Sequence, residues 1–199
     1  MTIILALAGG SLFVFRGNDS RTVNREAHTL SGLLEYARTE AITRQTYVWV
    51  GLKTSDDGGG GETDVGAVYS KDGTGTNVDP SNLAPLCPLV RLDHARLASR
   101  NALKPATLAL FDQATVSLAQ NTQGISFLLG TTEFAASTLT FTPSGGVLLK
   151  GAAGPDDGYD AFIDVSFRQT KGRVVAVDAS EAALLVDGSN GTVRILQSK

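Results

Sequence analysis

The first 45 residues constrain the fold more than any other part of the chain, because they contain no proline and read as a single rod. Residues 1–15 carry no charge, and Arg16 ends this apolar run. From Val23 to Ala41 the apolar positions follow steps of 4, 3, 4, 3 and 4 residues, which match the period of an α-helix. One helix over this whole stretch would be about 65 Å long, and a compact domain of this size cannot cover that length. We therefore predict that its first part stands in a membrane or against other subunits.

The apolar run 1–15 is shorter than a complete membrane span, which needs about 20 apolar residues. We interpret the run as a membrane anchor whose beginning is missing. A secretory signal peptide is a second interpretation, since an apolar region of about 7–15 residues fits, although no basic residue precedes it. A buried core segment is the third interpretation.

An amphipathic helix is predicted over residues 20–45. On its polar surface Glu35 with Arg38 and Glu40 with Arg44 form charge pairs about one turn apart. In both pairs the acidic residue comes first, which is the order that favours a helix.

After Thr46 the apolar period changes from 3.6 to two, which is the period of a β-strand. Turn-forming sequences separate several of the alternating runs, so an antiparallel sheet is predicted. The alternating runs are Val48, Val50 and Leu52; Ile125, Phe127 and Leu129; Leu139 and Phe141; Ile163, Val165 and Phe167; Val175 and Val177; and Val193 and Ile195.

The predicted fold class is α+β, with the N-terminal helix 1–45 packed on a small antiparallel β-sheet domain of residues 46–199. Two polar inserts rich in glycine or proline, residues 54–64 and 70–88, are predicted to be surface loops. Residues 89–110 show no pattern that assigns them to a helix or a strand.

Composition argues against most chemical functions. The chain has 20 acidic and 17 basic residues, so it lacks the positive charge of a nucleic-acid-binding protein. Two histidines, His28 and His94, and the single Cys87 are too few for a zinc finger or a disulfide framework. We therefore expect no enzymatic activity and no cofactor. Two acidic, glycine-containing loops, residues 72–79 and 156–160, leave calcium binding open.

Three segments resemble the type IV pilins and type II secretion pseudopilins. Residues 25–52, REAHTLSGLLEYARTEAITRQTYVWVGL, are similar to the helix and first strand of the H-type minor pseudopilins and their FimT-like pilus relatives. Residues 139–146, LTFTPSGG, resemble the family's I-x-F-x-P-x-G hairpin, and residues 191–195, GTVRI, resemble its terminal strand. The family's helix pattern L-x-x-L-L-x-x-A-R-x-E-A-I-x-R is matched by Leu30, Leu33, Leu34, Ala37, Arg38, Glu40, Ala41, Ile42 and Arg44.

One part of the family pattern is not in the printed sequence. Pilin precursors begin with a short basic leader and a G-F-T-L-I-E-like motif that the prepilin peptidase cleaves. Here Met1 stands where the family's apolar segment is already under way. We expect an in-frame extension upstream of Met1 to supply the motif.

The resemblance implies a pilin-like fold and a role in assembly. In the family the apolar helix holds the subunit in the bacterial inner membrane, with the C-terminal domain in the periplasm or in an extracytoplasmic filament. The implied partners are other pilins or pseudopilins, the inner-membrane assembly platform and, for a chain with a leader, the prepilin peptidase. The residues expected to face lipid or neighbouring helices are Ile3, Ile4, Leu5, Leu7, Leu12, Phe13 and Phe15. The residues expected to face the chain's own sheet are Leu30, Leu34, Ala37 and Ala41.

Two functional hypotheses follow from the sequence. The first is a minor pseudopilin or pilin-like subunit of a secretion or pilus filament. The second is an exported, membrane-anchored β-domain that binds a ligand or a surface without assembling into a filament.

Overall fold

The computed structural model describes residues 18–54, 61–112, 114–151, 154, 158–172, 174–175 and 178–196. Within them the chain forms a long helix, α1 (Asn18–Arg44), and a one-turn helix, α2 (Pro105–Leu108). The strands of the first half are β1 (Val48–Thr54), β2 (Thr63–Ser70), β3 (Leu83–Pro85), β4 (Val90–Leu92), β5 (Ala95–Ala98) and β6 (Val116–Ser117). Those of the second half are β7 (Phe127–Leu129), β8 (Thr132–Phe134), β9 (Thr138–Phe141), β10 (Val147–Leu148), β11 (Phe162–Lys171), β12 (Val174–Val175), β13 (Glu181–Asp187) and β14 (Val193–Leu196).

The described strands form two larger sheets and one separate hairpin. The first sheet has the order β10-β9-β1-β2-β3, and β4 also pairs with β2. The second sheet is built around β11, which pairs with β5, β6, β12 and β13, and β14 extends it beyond β13. Strands β7 and β8 pair only with each other. All these pairs are antiparallel except the pair of β6 with β11.

The helix α1 packs across both larger sheets, because it contacts β1 and β9 of the first sheet and β11, β13 and β14 of the second. Its inner face is at most 1% exposed and lies in one apolar cluster with the inward-facing residues of both sheets. The residues of this face are Val23, Ala27, Leu30, Leu34, Ala37 and Ala41. The predicted α+β class, an N-terminal helix on antiparallel β-structure, is confirmed.

The outer faces of the two sheets are covered by different segments. The β7–β8 hairpin lies over the first sheet, where Phe127 and Phe134 stack at 5.0 Å between ring centres and share a cluster with Trp49. The stretch that contains α2 lies over the second sheet, where Leu103 and Phe111 share a cluster with alternate residues of β13. Both faces of each central strand are therefore buried.

The helix passes into β1 through a Schellman motif. The amide of Thr46 donates to the carbonyl of Ala41 at 3.0 Å, and the amide of Gln45 donates to the carbonyl of Ile42 at 3.3 Å. Gln45 takes a positive φ of 52°, a conformation that glycine usually supplies at this position. Its side-chain amide also donates to the carbonyl of Ile42 at 2.7 Å, which helps to hold the turn.

Several strands lie where the sequence predicted loops. In the predicted loop 54–64, Thr54 ends β1 and Thr63 begins β2, and the predicted loop 70–88 contains β3. The insert folds back on β2, and its strand ends at Pro85, a position at a sheet edge where the missing amide costs no pairing. The helix ends at Arg44, one residue before the predicted end at 45, and residues 1–17 of the predicted helix 1–45 lie outside the described residues.

Other differences concern strands that the alternation missed or misplaced. The unassigned region 89–110 contains β4, β5 and α2, and β13 lies in a stretch for which no strand was predicted. Ile125 precedes β7, and Val177 lies outside the described residues.

Candidate functional site

The outer face of the C-terminal half of α1 meets two glycine-containing turns, one between β9 and β10 and one between β13 and β14. We call this region, formed by Glu35, Arg38 and Ile42 with residues 142–146 and 187–193, the helix–turn contact. Here side-chain hydrogen bonds from the helix bridge 152 and 158 positions in sequence.

Two polar side chains of α1 bind the backbone of the second turn. The Arg38 guanidinium donates through Nε to the carbonyl of Asn190 at 2.6 Å. Glu35 Oε1 accepts from the amide of Val193 at 3.1 Å, at the start of β14. Arg38 and Glu35 also form an ion pair at 3.5 Å, so each side chain holds the other in position.

Glycine is required where the two turns and the helix approach one another. Gly145 has a φ of 88°, and a Cβ there would lie 2.9 Å from the Cδ1 atom of Ile42. Gly191 has a φ of 69°, and a Cβ there would lie 2.4 Å from the carbonyl oxygen of Gly145 and 3.0 Å from the Cδ atom of Arg38. A side chain at Gly191 would overlap the backbone of the other turn and force the two turns apart, and at both positions the positive φ favours glycine.

The second turn is braced by its own polar residues. Asp187 Oδ1 accepts from the amide of Ser189 at 2.9 Å and from its hydroxyl at 2.7 Å. Asp187 Oδ2 accepts from the Asn190 side chain at 3.2 Å, and these hydrogen bonds hold the pKa of Asp187 below its usual range, with the Ser189 hydroxyl as the largest cause. The amide of Val147 in β10 donates to the carbonyl of Gly188 at 2.7 Å, so the turn also joins the two sheets.

The helix–turn contact brings together all three segments that carry the resemblance to pilins. Arg38 comes from the helix pattern, Gly145 from the 139–146 hairpin, and Gly191 and Val193 from the terminal strand. Arg38 and Asn190 are 152 positions apart, and Glu35 and Val193 are 158 positions apart. Sequence reasoning treated Glu35 and Arg38 as a surface pair and missed their role as donors and acceptors toward the turn.

The comparison with known families decides the identity of the chain. The family described as "Type II transport protein GspH" matches residues 26–182, which is more than half of the chain. The chain belongs to this GspH family. A search of curated proteins gives no match.

Solved structures give a more distant likeness. Two crystal forms of the type IV minor pilin FimU from Pseudomonas aeruginosa (strain PAO1) are similar to this GspH-family chain. One is 15% identical over 92% of each chain with a TM-score of 0.40. The other is 16% identical over 88% of this chain and 93% of FimU, with a TM-score of 0.38.

The predicted site residues fall into two groups in this GspH-family chain. Leu30, Leu34, Ala37 and Ala41 lie on the buried face of α1, against both sheets. The apolar run 1–15, with Ile3, Ile4, Leu5, Leu7, Leu12, Phe13 and Phe15, lies outside the described residues. Among the residues from 18 onward that the structure describes, no helix has the length and apolar character that crossing a membrane requires.

The residues weighed for chemistry lie apart from one another. His28 is exposed on α1, and His94 is exposed in the turn between β4 and β5. Cys87 is half-buried beside the main apolar cluster, and burial raises the pKa of its thiol. The described residues bring no nucleophile and base together at these positions.

The first acidic loop uses its carboxylate to organise itself. Asp72 Oδ1 accepts from the Ser70 hydroxyl at 2.7 Å, the amide of Thr74 at 2.9 Å and the Asn82 side chain at 3.0 Å. Asp72 Oδ2 accepts from the Asn77 side chain at 2.7 Å. These donors hold the pKa of Asp72 well below its usual range, the Ser70 hydroxyl being the largest cause.

The second acidic loop is only partly described. Asp156 and Asp157 lie outside the described residues, and Asp160 Oδ2 accepts from the amide of Leu149 at 3.1 Å. Within the described ranges, no three His, Cys, Asp or Glu residues form a group that could hold a metal ion.

Proposed function

We propose that this GspH-family chain is a structural subunit of a type II secretion pseudopilus or a type IV pilus-like filament. In this proposal residues 1–15 anchor the subunit in the bacterial inner membrane, and the N-terminal helix assembles it with other pilins or pseudopilins. The observation that carries the proposal is the helix–turn contact, because it fixes α1 to both sheets. A force applied to such a helix would move the whole domain as one body.

The exposed stripe of α1 supports a role for the helix in subunit packing. Thr29, Gly32, Tyr36, Thr39 and Thr43 are all exposed and uncharged, and they follow one another at steps of 3, 4, 3 and 4 residues. The solvent face of a helix on a globular protein usually carries charge. Another helix could pack along this stripe without burying a charge, which would be costly.

In this proposal the apolar run 1–15 has two different environments, one before and one after assembly. Before assembly the large side chains among residues 1–15 would contact lipid, and after assembly they would contact neighbouring helices. The inner-membrane assembly platform and, for a chain with a leader, the prepilin peptidase are the further partners.

The test is to express two kinds of variant in a cell that contains the filament machinery. Deleting residues 1–15 should remove the chain from both the inner-membrane fraction and the sheared-filament fraction. Thr39→Arg should leave membrane association intact and reduce incorporation, because it places a charge in the neutral stripe. The matched control is Thr131→Arg, which adds the same charge at an exposed turn residue of the β7–β8 hairpin.

Incorporation of the chain that lacks residues 1–15 at the wild-type level would overturn the proposal. Release of that chain from the membrane with no filament found in the wild type would favour the second hypothesis, an anchored β-domain that binds a ligand or a surface.

A further inference from the structure

The outer face of the second sheet contains buried polar atoms without partners. Among the described residues, every buried side-chain nitrogen or oxygen that lacks a hydrogen-bond partner belongs to β6, β11 or β13. Two of these atoms, Arg168 Nε and Glu181 Oε1, face each other as an ion pair at 3.6 Å. The remaining three are Ser117 Oγ, Asp164 Oδ2 and Ser166 Oγ.

The strand register places these three atoms on one face. Asp164 and Ser166 are two residues apart on β11, so their side chains point to the same side of the sheet. Ser117 on β6 pairs directly with Asp164 in the parallel register, about 4.8 Å away across the strands. Their residues are 0–6% exposed, and yet none of the three atoms makes a direct hydrogen bond.

The other oxygen of Asp164 is already bound. Thr115 donates through Oγ1 to Asp164 Oδ1 at 2.6 Å, and Arg100 donates through Nη1 to Thr115 Oγ1 at 2.8 Å. This relay fastens the segment 99–117, which contains α2, to the face of the second sheet. We call Arg100, Thr115 and Asp164 the polar clamp.

The charges around the polar clamp select the kind of ligand. Arg100 offsets the carboxylate of Asp164 through Thr115, and Arg168 offsets Glu181. Arg96 lies directly opposite Arg168 across β5 and β11, so this face carries a further positive charge. A cation would therefore meet like charge here, and a neutral ligand fits. A buried water molecule typically makes about three hydrogen bonds to polar groups that lack partners, and a carboxylate oxygen and two hydroxyls supply that number here.

We propose that one ordered water molecule binds between Asp164, Ser117 and Ser166 and completes the polar clamp. A cavity of about 410 Å³ has Ser117, but neither Asp164 nor Ser166, in its wall, so the site reaches it only at Ser117. The site lies on the sheet face opposite α1, and the proposal does not rest on the proposed filament function.

A double-mutant cycle in the full chain tests the water site. Ser117→Ala and Ser166→Ala should each lower the melting temperature by about 2–4 °C, the shift expected for about 1 kcal/mol in a chain of this size. The melting temperature of the double variant should fall by less than the sum of the two single decreases, because both single variants lose the same water molecule. Ser137→Ala, at a half-buried serine away from the clamp, should have little effect.

If the hydroxyls of Ser117 and Ser166 have no hydrogen-bond partner, the change in melting temperature should have the opposite sign. Removing them would relieve an unpaid desolvation cost and raise the melting temperature, and that result would overturn the proposal. Additive effects in the double variant would overturn it as well.

Two further measurements use different readouts. Oxygen-17 magnetic relaxation dispersion counts long-lived internal waters, and Ser166→Ala should contain one fewer than the wild type. An equal count would contradict the proposal. The wild-type melting temperature should be the same in Na⁺, K⁺, Mg²⁺ and Ca²⁺ at constant ionic strength, whereas a cation-specific increase that Asp164→Asn abolishes would show a cation in place of the water.

Discussion

At the scale of single residues, two glycines leave space on the first sheet for one aromatic ring. Gly51 in β1 and Gly66 in β2 face each other across the strands. A Cβ on Gly66 would lie 2.6 Å from Phe134 Cε2, and a Cβ on Gly51 would lie 2.9 Å from Phe134 Cβ. The pair therefore forms a slot that the side chain of Phe134, 1% exposed, fills against both strands.

We expect Gly66→Ala to destabilise the fold by about 1–3 kcal/mol, because the added methyl group overlaps the Phe134 ring in a closely packed cluster. Gly32→Ala is the matched control, since a Cβ at that exposed helical position meets nothing within 4 Å. That variant should stabilise α1 by up to about 1 kcal/mol, as alanine is the better helix former. Denaturant unfolding measures the change in the free energy of unfolding for both variants. Changes of the same sign would contradict the close packing of Phe134 against Gly66.

The carboxylate of Asp187 gives the helix–turn contact a dependence on pH. Its pKa is lowered in the folded state, so it contributes stability above its unfolded pKa of about 4 and loses it as the pH falls through the folded value. Asp187→Asn should therefore be less stable than the wild type near pH 7, and the difference should shrink below about pH 4. Unfolding in denaturant at a series of pH values measures this.

Ser189→Ala provides the matching variant for Asp187. It removes the donor that lowers the pKa of Asp187 most, so it should show part of the same loss at neutral pH. A constant difference between Asp187→Asn and the wild type from pH 7 to pH 2 would contradict the assignment.

At the scale of elements, the sequence predicts the buried face of α1 more clearly than the residue at which the helix ends. The apolar steps between Val23 and Ala41 predict the buried face, because a helix on a sheet must repeat its contacts every 3.6 residues. The end at Arg44 carries no glycine or proline, and Gln45 takes the left-handed position instead. Only the change of period after Thr46 marks that end in the sequence.

The strands that alternation missed are those with both faces buried. β13 reads EAALLVD, and its residues from Ala182 to Val186 are all buried, alternately against α1 and against the segment that contains α2. A strand covered on both faces has no polar alternation to detect. In β2 the alternation is interrupted by Gly66, whose absent side chain matters only because of Phe134.

Arg38 should matter more for stability than its neighbour Arg44 on the same helix. Arg38→Ala removes a hydrogen bond to the carbonyl of Asn190 and separates α1 from the second turn, which should cost about 1–2 kcal/mol. Arg44 pairs with Glu40 and lies over the ring of Tyr69, but its own side chain is exposed, so Arg44→Ala should cost about 0.5 kcal/mol or less. Thermal unfolding of both variants measures the two losses of stability. Equal losses would contradict a specific role for Arg38.

At the scale of the whole molecule, the resemblance to pilins was predictable but the meeting of its three segments was not. The helix pattern, the 139–146 hairpin and the terminal strand are separate in sequence, and nothing in their local periods says that they touch. Contacts over more than 150 positions, such as Arg38 with Asn190, depend on how both sheets dock on the helix. The helix–turn contact therefore needed the folded chain to be found.

The same docking implies that α1 is part of the domain core rather than a separable anchor. The main apolar cluster of the described residues includes Val23 and joins both sheets through the helix, so a boundary at residue 45 divides a core. We expect a chain of residues 18–199 to melt cooperatively, because each apolar cluster of the described residues is kept. A chain of residues 46–199 should fail to fold, since the inner faces of both sheets would be exposed. Circular dichroism melting with size-exclusion chromatography distinguishes the two, and cooperative melting of 46–199 as a monomer would show that the β-domain is independent of the helix.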